Sequence, residues 1–273
     1  MTHPLPPLSL LVAITFISPF ALNVFNPAMP DVAIDFDASI STVQLTISLY
    51  LFALGIAQLL CGALADSFGR RPVLLFGIVV QLIGTIIAAF ATSIEWLVVA
   101  RVLQGLGGGA STVLVRTIIL DVVDRDEGGK FLSYVSMTIA ATQLIAPTVG
   151  GYLNFYFSWR AIFYVSFAFN LPLAVFVYLK LRETVSTADM KPLKPSQFLS
   201  SCRQILSSPI YVGYSLCGAL STCAYIGFAS IMPYIFDDVI GGNSAAYGNW
   251  FLVVSFGYLA GSFVVFETGY TFI

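Results

Sequence analysis

Few side chains in this chain can do chemistry, and most of them sit where charge is expensive. Arg101 and Gln104 lie three residues apart inside an apolar run, a spacing that puts them on one helix face. An arginine at the centre of a membrane-length helix costs at least about 2.5 kcal/mol, so it belongs to a bundle interior or a wet cavity. Arg116, towards the far end of the same run, either anchors a membrane interface or pairs with Asp121 or Asp66. Asp66, Arg70 and Arg71, spaced by Gly62 and Gly69, make a polar island between two long apolar runs, which reads as a tight turn at a membrane surface. Pro72 suits the first turn of the helix that follows. Pro147, Gly150 and Gly151 deform a helix and thin its packing face. Asn23 and Asn26 can bond a substrate or a neighbouring helix, and Tyr50 and Tyr134 are candidates for the wall of an apolar cavity.

These residue types read as polar and charged groups held inside a membrane, functional by default there, rather than as a set for bond-making. There is one histidine, His3, and no Ser/His/Asp or Cys/His set, which argues against an enzyme. Cys61, Cys202, Cys217 and Cys223 show no C-x-x-C spacing, so neither a metal centre nor a disulfide framework is expected, and no cofactor is called for. Gly105–Ala110 formally fits a dinucleotide fingerprint, but it opens no βαβ unit; Gly105 and Gly109 read instead as a close-packing G-x-x-x-G pair. With no polybasic tail, nucleic acid is not an expected partner.

Composition sets the frame that must position these groups. The chain is 58% hydrophobic and only 10% charged, against roughly 25% charged in a soluble domain. Its apolar runs are membrane-helix length rather than barrel-strand length. Eight can be drawn: Leu8–Met29, Thr42–Ala63, Pro72–Ala91, Trp96–Ile119, Leu132–Phe155, Trp159–Leu179, Ile210–Phe236 and Tyr247–Phe266. The predicted fold class is an all-α integral membrane bundle. Connections sort by charge: Arg70, Arg71, Arg125, Lys130, Lys180, Arg182, Lys191, Lys194 and Arg203 fall on one side. Asp31, Asp35, Asp37, Glu95, Asp237 and Asp238 fall on the other, with Arg160 the only base. The positive-inside rule makes the basic side, and the N-terminus, cytoplasmic. Residues 1–181 hold six spans, 182–208 a basic, proline-bearing linker with a short amphipathic helix near Ser196–Leu206, and 209–273 two further spans.

Several stretches are similar to one family. Gly62, Leu64, Asp66, Gly69, Arg70, Arg71 and Leu75 match the loop between helices 2 and 3 of major facilitator superfamily transporters, with Ser67 where the family has Arg. The stretch Leu97-x-x-x-Arg101-x-x-Gln104-Gly105 resembles a helix-4 motif of its proton-coupled members. Ala146-Pro147-Thr148-Val149-Gly150-Gly151 resembles the antiporter motif of drug exporters, in the Ala-Pro form of the bicyclomycin-resistance-like (Bcr/CflA) branch. Asn23–Pro30 looks like that branch's helix-1 signature, with Asn23 where many members have Asp; asparagine cannot take up a proton.

The resemblance implies a complete six-helix N-terminal half and the first two helices of a C-terminal half. The substrate would sit between the halves, which rock to expose it alternately, and the Asp66–Arg71 turn would act as a conformational latch. It implies export of drugs or other small amphipathic compounds by proton antiport across a bacterial inner membrane, with the proton gradient as energy source and small molecules, protons and lipid as partners. Helices 9 to 12 have no counterpart before Ile273, so a separate or missing C-terminal half is expected. Two alternatives are an uptake carrier for a small metabolite, which the Ala146–Gly151 motif disfavours, and a non-transporting remnant or partner subunit.

Overall fold

The computed structural model describes residues 6–123, 125–185, 195–254 and 256, and among these every regular element is helical. Seven stretches are long and apolar enough to cross a membrane, which makes this an integral membrane protein. The eighth apolar run is helical over 244–254; the rest of it, and the end of the chain, lie outside the described residues, as does linker stretch 186–194.

The first run is broken. Helix α1 (Leu8–Asn23) stops short of the expected Met29, a single 3-10 turn follows at Asn26–Ala28, and α2 (Met29–Asp35) completes the span. Pro27 and Pro30 each remove a backbone N–H, which ends one helix and suits the first turn of the next.

The second run is longer than expected. Helix α3 (Ile40–Phe68) starts at a Ser39 cap, whose Oγ accepts from Thr42 N at 3.2 Å, and runs on through Gly62 and Asp66. The polar island is therefore not a loop. Polar residues at the end of a span continue the helix because their backbone groups are still best satisfied within it. The turn shrinks to Gly69 alone, at φ 95° and ψ 155°, a region only glycine enters readily. Gly62 has open space around it and turns nothing.

Helices α4 (Arg70–Ala89), α5 (Ile94–Val122), α6 (Arg125–Tyr156) and α7 (Trp159–Lys180) complete the first six spans. Helix α5 is the hub. A Cβ on Gly105 would strike the Tyr50 carbonyl and one on Gly109 would strike Ala57, both on α3. One on Gly107 would strike the backbone of Gly77 and Gln81 on α4, and one on Gly108 would meet Ser18 of α1 at 2.7 Å. Four side-chain-free positions thus seat α5 against three neighbours, the close-packing role expected of its glycines.

In the linker, α8 (Pro195–Leu206) is the expected short helix, and α9 (Pro209–Asp238) is the seventh span. Its buried residues are Ala229, Pro233, Tyr234 and Phe236, all in its second half, while its first half is almost wholly exposed. Phe236 packs with Tyr247 and Phe251 in a small separate core.

Candidate functional site

Candidate residues gather at three levels of the bundle. At the basic end, Arg70 joins three helices. Its Nη1 donates to Asp66, one turn back on α3, and its Nε donates to Asp121 of α5 at 3.1 Å. Both acids named above as partners for Arg116 are thus taken. Arg116 is exposed on α5 and makes no ion pair among the described residues. Arg71 lies over the Tyr178 ring of α7, 5.4 Å from its centroid, and donates to the Tyr178 carbonyl at 2.6 Å.

Sequence reasoning missed Glu183, just after α7. Its carboxylate accepts from the backbone N–H groups of Arg70 (2.9 Å) and Arg71 (3.1 Å), and from those of Thr184 and Val185. It caps the N-terminus of α4, where orphan donors and the helix dipole favour an anion. It also lies so close to Gly69 that a Cβ there would come within 2.5 Å of Oε2. An acid directly after a helix end, in a linker where bases outnumber acids, was the available signal.

At mid-bundle, Arg101 is fully buried. Its Nη1 donates to the Ala21 carbonyl and to Gln104 Oε1, both at 2.8 Å; Gln104 Nε2 in turn donates to Thr85 Oγ1 at 2.9 Å. The rings of Tyr50 and Phe25 lie 4.5 and 5.0 Å from the guanidinium carbon. No carboxylate pairs with Arg101 among the described residues. Ala21 belongs to the last turn of α1, where carbonyls lose their intrahelical partners and the dipole is negative. The break in the first span thus creates a seat for the buried charge. Nε and Nη2 keep no partner. Tyr50 is buried, and its hydroxyl donates to the Ser18 carbonyl at 3.0 Å. Asn23 donates to the Pro19 carbonyl of its own helix, and Asn26 is buried with Oδ1 unpartnered. Tyr134 is partly exposed on α6, edge-on to Phe131.

At the acidic end, Pro147, Gly150 and Gly151 lie in a seam. Gly150 abuts the Val24 carbonyl and Gly151 the Ser244 carbonyl so closely that a Cβ on either would collide. Thr148 Oγ1 donates to the Gly248 carbonyl at 2.9 Å and Ser244 Oγ to the Gly151 carbonyl at 3.2 Å, while Tyr152 and Asn249 bond side chain to side chain. Helix α6 therefore contacts both the broken first span and the 244–254 helix through backbone. Nearby, Asn154 donates to Asp31, and Arg160 (2.9 Å) and Trp159 (3.1 Å) donate to Asp35.

Known proteins resemble this chain in sequence and in fold. A bicyclomycin resistance protein homolog of Haemophilus influenzae is 25% identical over 88% of this chain and 60% of its own length. An uncharacterized MFS-type transporter of Bacillus subtilis, YdgK, is 28% identical over 95% of this chain and 65% of its own length. Multidrug resistance protein D of Escherichia coli is 33% identical over 57% of this chain and 40% of its own length. The chain spans less than two thirds of the length of these relatives. Among solved structures, a bacterial homolog of the lysosomal transporter Spinster, in an inward-facing and unoccupied conformation, superposes with TM-score 0.72. It is 20% identical, with 97% of this chain and 62% of that one covered. A D-xylose-proton symporter reaches 0.69 at 16% identity, covering 97% and 68%. The Major Facilitator Superfamily model matches residues 11–271. On that match, and on the helical bundle it describes, the chain belongs to the Major Facilitator Superfamily, a family of transporters and not of enzymes.

Proposed function

We propose that this chain forms the core of a secondary transporter that exports drugs or other small amphipathic compounds from a bacterial cell by alternating access, driven by proton antiport. The observation that carries the reading is the asymmetry of the α9 contacts. The first six spans are joined at the acidic end to the second half of α9 and, through the Pro147–Gly151 seam, to the 244–254 helix, while the first half of α9 stands clear of the bundle. A seventh span held at one end supports a reading in which the two sides rock, and the solved Spinster homolog that the fold resembles is inward-facing. Relatives called bicyclomycin and multidrug resistance proteins support drugs as the cargo. The charge sorting supports a cytoplasmic basic end and N-terminus in the inner membrane. The exposed apolar half of α9 calls for further helices to pack on it, from a longer polypeptide or a separate second half.

Within this reading the Asp66–Arg70–Asp121 cluster is the latch at the basic end. Arg101 and Gln104 tune proton coupling by holding the first and fourth spans together, and Gly150 and Gly151 form the closing face. Proteoliposomes with an imposed pH gradient test it. Bicyclomycin or a lipophilic dye should move against its gradient, Asp66→Asn should slow that movement with membrane insertion intact, and collapsing the pH gradient should stop it. Movement indifferent to both the gradient and Asp66→Asn would refute proton-driven export through this latch.

A further inference from the structure

A cavity of about 460 Å³ opens at the acidic end between α2, the junction of α6 and α7, the end of α9 and the turn before the 244–254 helix. That volume is within the range of small-molecule sites, about 300–1,000 Å³. Carboxylates and rings share its wall: Asp31, Asp35 and Asp237 with Trp159, Phe236 and Tyr247. We propose that this cavity binds an organic cation that carries an apolar body.

The protein already displays the chemistry. The Arg160 guanidinium, itself a flat cation, lies 4.0 Å from the centroid of the Trp159 ring and donates to Asp35 at 2.9 Å. Ring face and carboxylate together hold a cation at this wall. Arg160 is spent on Asp35, however, and is the only base among the lining residues. Among the described residues, Asp31 is held only by the neutral Asn154 amide and Asp237 makes no ion pair. Two carboxylates, one from α2 and one from α9, therefore face one cavity without a positive partner. A bare divalent ion fits poorly, because calcium requires about six to eight oxygens at 2.3–2.6 Å and no three acidic, cysteine or histidine side chains among the described residues are placed to hold a metal ion. A delocalised cation meets both kinds of wall at once. Because the site bridges α2 and α9, a bound cation also ties the first six spans to the seventh. Its role as the last station for an exported cation rests on the export reading; binding does not.

The test is calorimetric titration of the purified full chain in lipid nanodiscs with tetraphenylphosphonium, with triphenylphosphine oxide as the neutral counterpart. The cation is expected to bind and the neutral compound not. Asp237→Asn and Asp31→Asn should each weaken binding about five- to tenfold, the effect of one nearby charge in a wet site. Asp237 is exposed, so its charge can also be reversed without burying a group, and Asp237→Lys should abolish binding. Unchanged affinity in all three variants, equal binding of the neutral compound, or calcium binding in place of the organic cation would each overturn the site. Asp237-dependent binding in a protein that exports nothing upholds the site and removes the export reading. Export with binding indifferent to Asp31 and Asp237 does the reverse.

Discussion

Arg101 lies in the middle of the bundle with no acid opposite it among the described residues. Three neutral features replace the acid: the Ala21 carbonyl in the negative last turn of α1, the Gln104 amide, and the two ring faces of Tyr50 and Phe25. Each depends on a planar, multi-donor cation, so lysine is not an equivalent. Arg101→Lys is expected to lose the stacking, and Arg101→Ala to leave Gln104 Oε1 and the Ala21 carbonyl unpaired, at a cost of about 2–4 kcal/mol. Thermal unfolding in detergent reads that loss; an unshifted transition would mean that Arg101 holds nothing together. Glu183 makes the complementary case for an anion. Glu183→Gln keeps the hydrogen-bonding shape but removes the charge at the α4 N-terminus, and should cost about 0.5–1 kcal/mol in the same assay. Arg101 and Gln104 were legible from sequence because polar residues inside an apolar run are rare. Of their partners, Tyr50 stood out only as a candidate for a cavity wall and Ala21 and Thr85 not at all, because such residues occur throughout the chain and only packing selects these ones.

At the scale of elements, α5 is placed by what it lacks. Gly105, Gly107, Gly108 and Gly109 each give a neighbouring helix direct access to the backbone. In lipid, where apolar side chains gain nothing by leaving the bilayer, such contacts are a main source of helix association. Gly107→Leu should therefore separate α5 from α4 and give an aggregated, non-monodisperse protein by size-exclusion chromatography, whereas Gly62→Leu, facing open space, should run as the parent does. Helix existence was legible from run length. Helix ends were less so, for two opposite reasons. The prolines that break the first span fall inside an apolar run that length alone would make continuous, and the Gly62–Arg71 island looks like a loop although its helix ends only at Gly69. Hydropathy reports where lipid stops, whereas helices end where backbone donors are lost or where φ turns positive.

At the scale of the molecule, the two ends differ in kind. The basic end is tied by charge within the first six spans, through Arg70, Asp66, Asp121 and Glu183. The acidic end is tied across to α9 and the 244–254 helix, largely by backbone contact and neutral hydrogen bonds. A charged cluster resists shear through directional bonds, whereas a small-residue seam can separate without stranding a charge. The sequence motifs marked both ends, but which helices meet at the seam depended on non-local contacts between segments about a hundred residues apart, such as Thr148 with Gly248. If the chain exports by alternating access, this seam must open. The most direct test places cysteines at Tyr152 and Asn249, whose side chains bond across it, after replacing Cys61, Cys202, Cys217 and Cys223. On this account, a short bis-methanethiosulfonate that bridges the two thiols, which a direct disulfide with its Cα separation below about 7 Å need not reach, links the pair and halts drug export in proteoliposomes, and reduction restores it. Fully linked protein that exports at the unlinked rate would contradict the account.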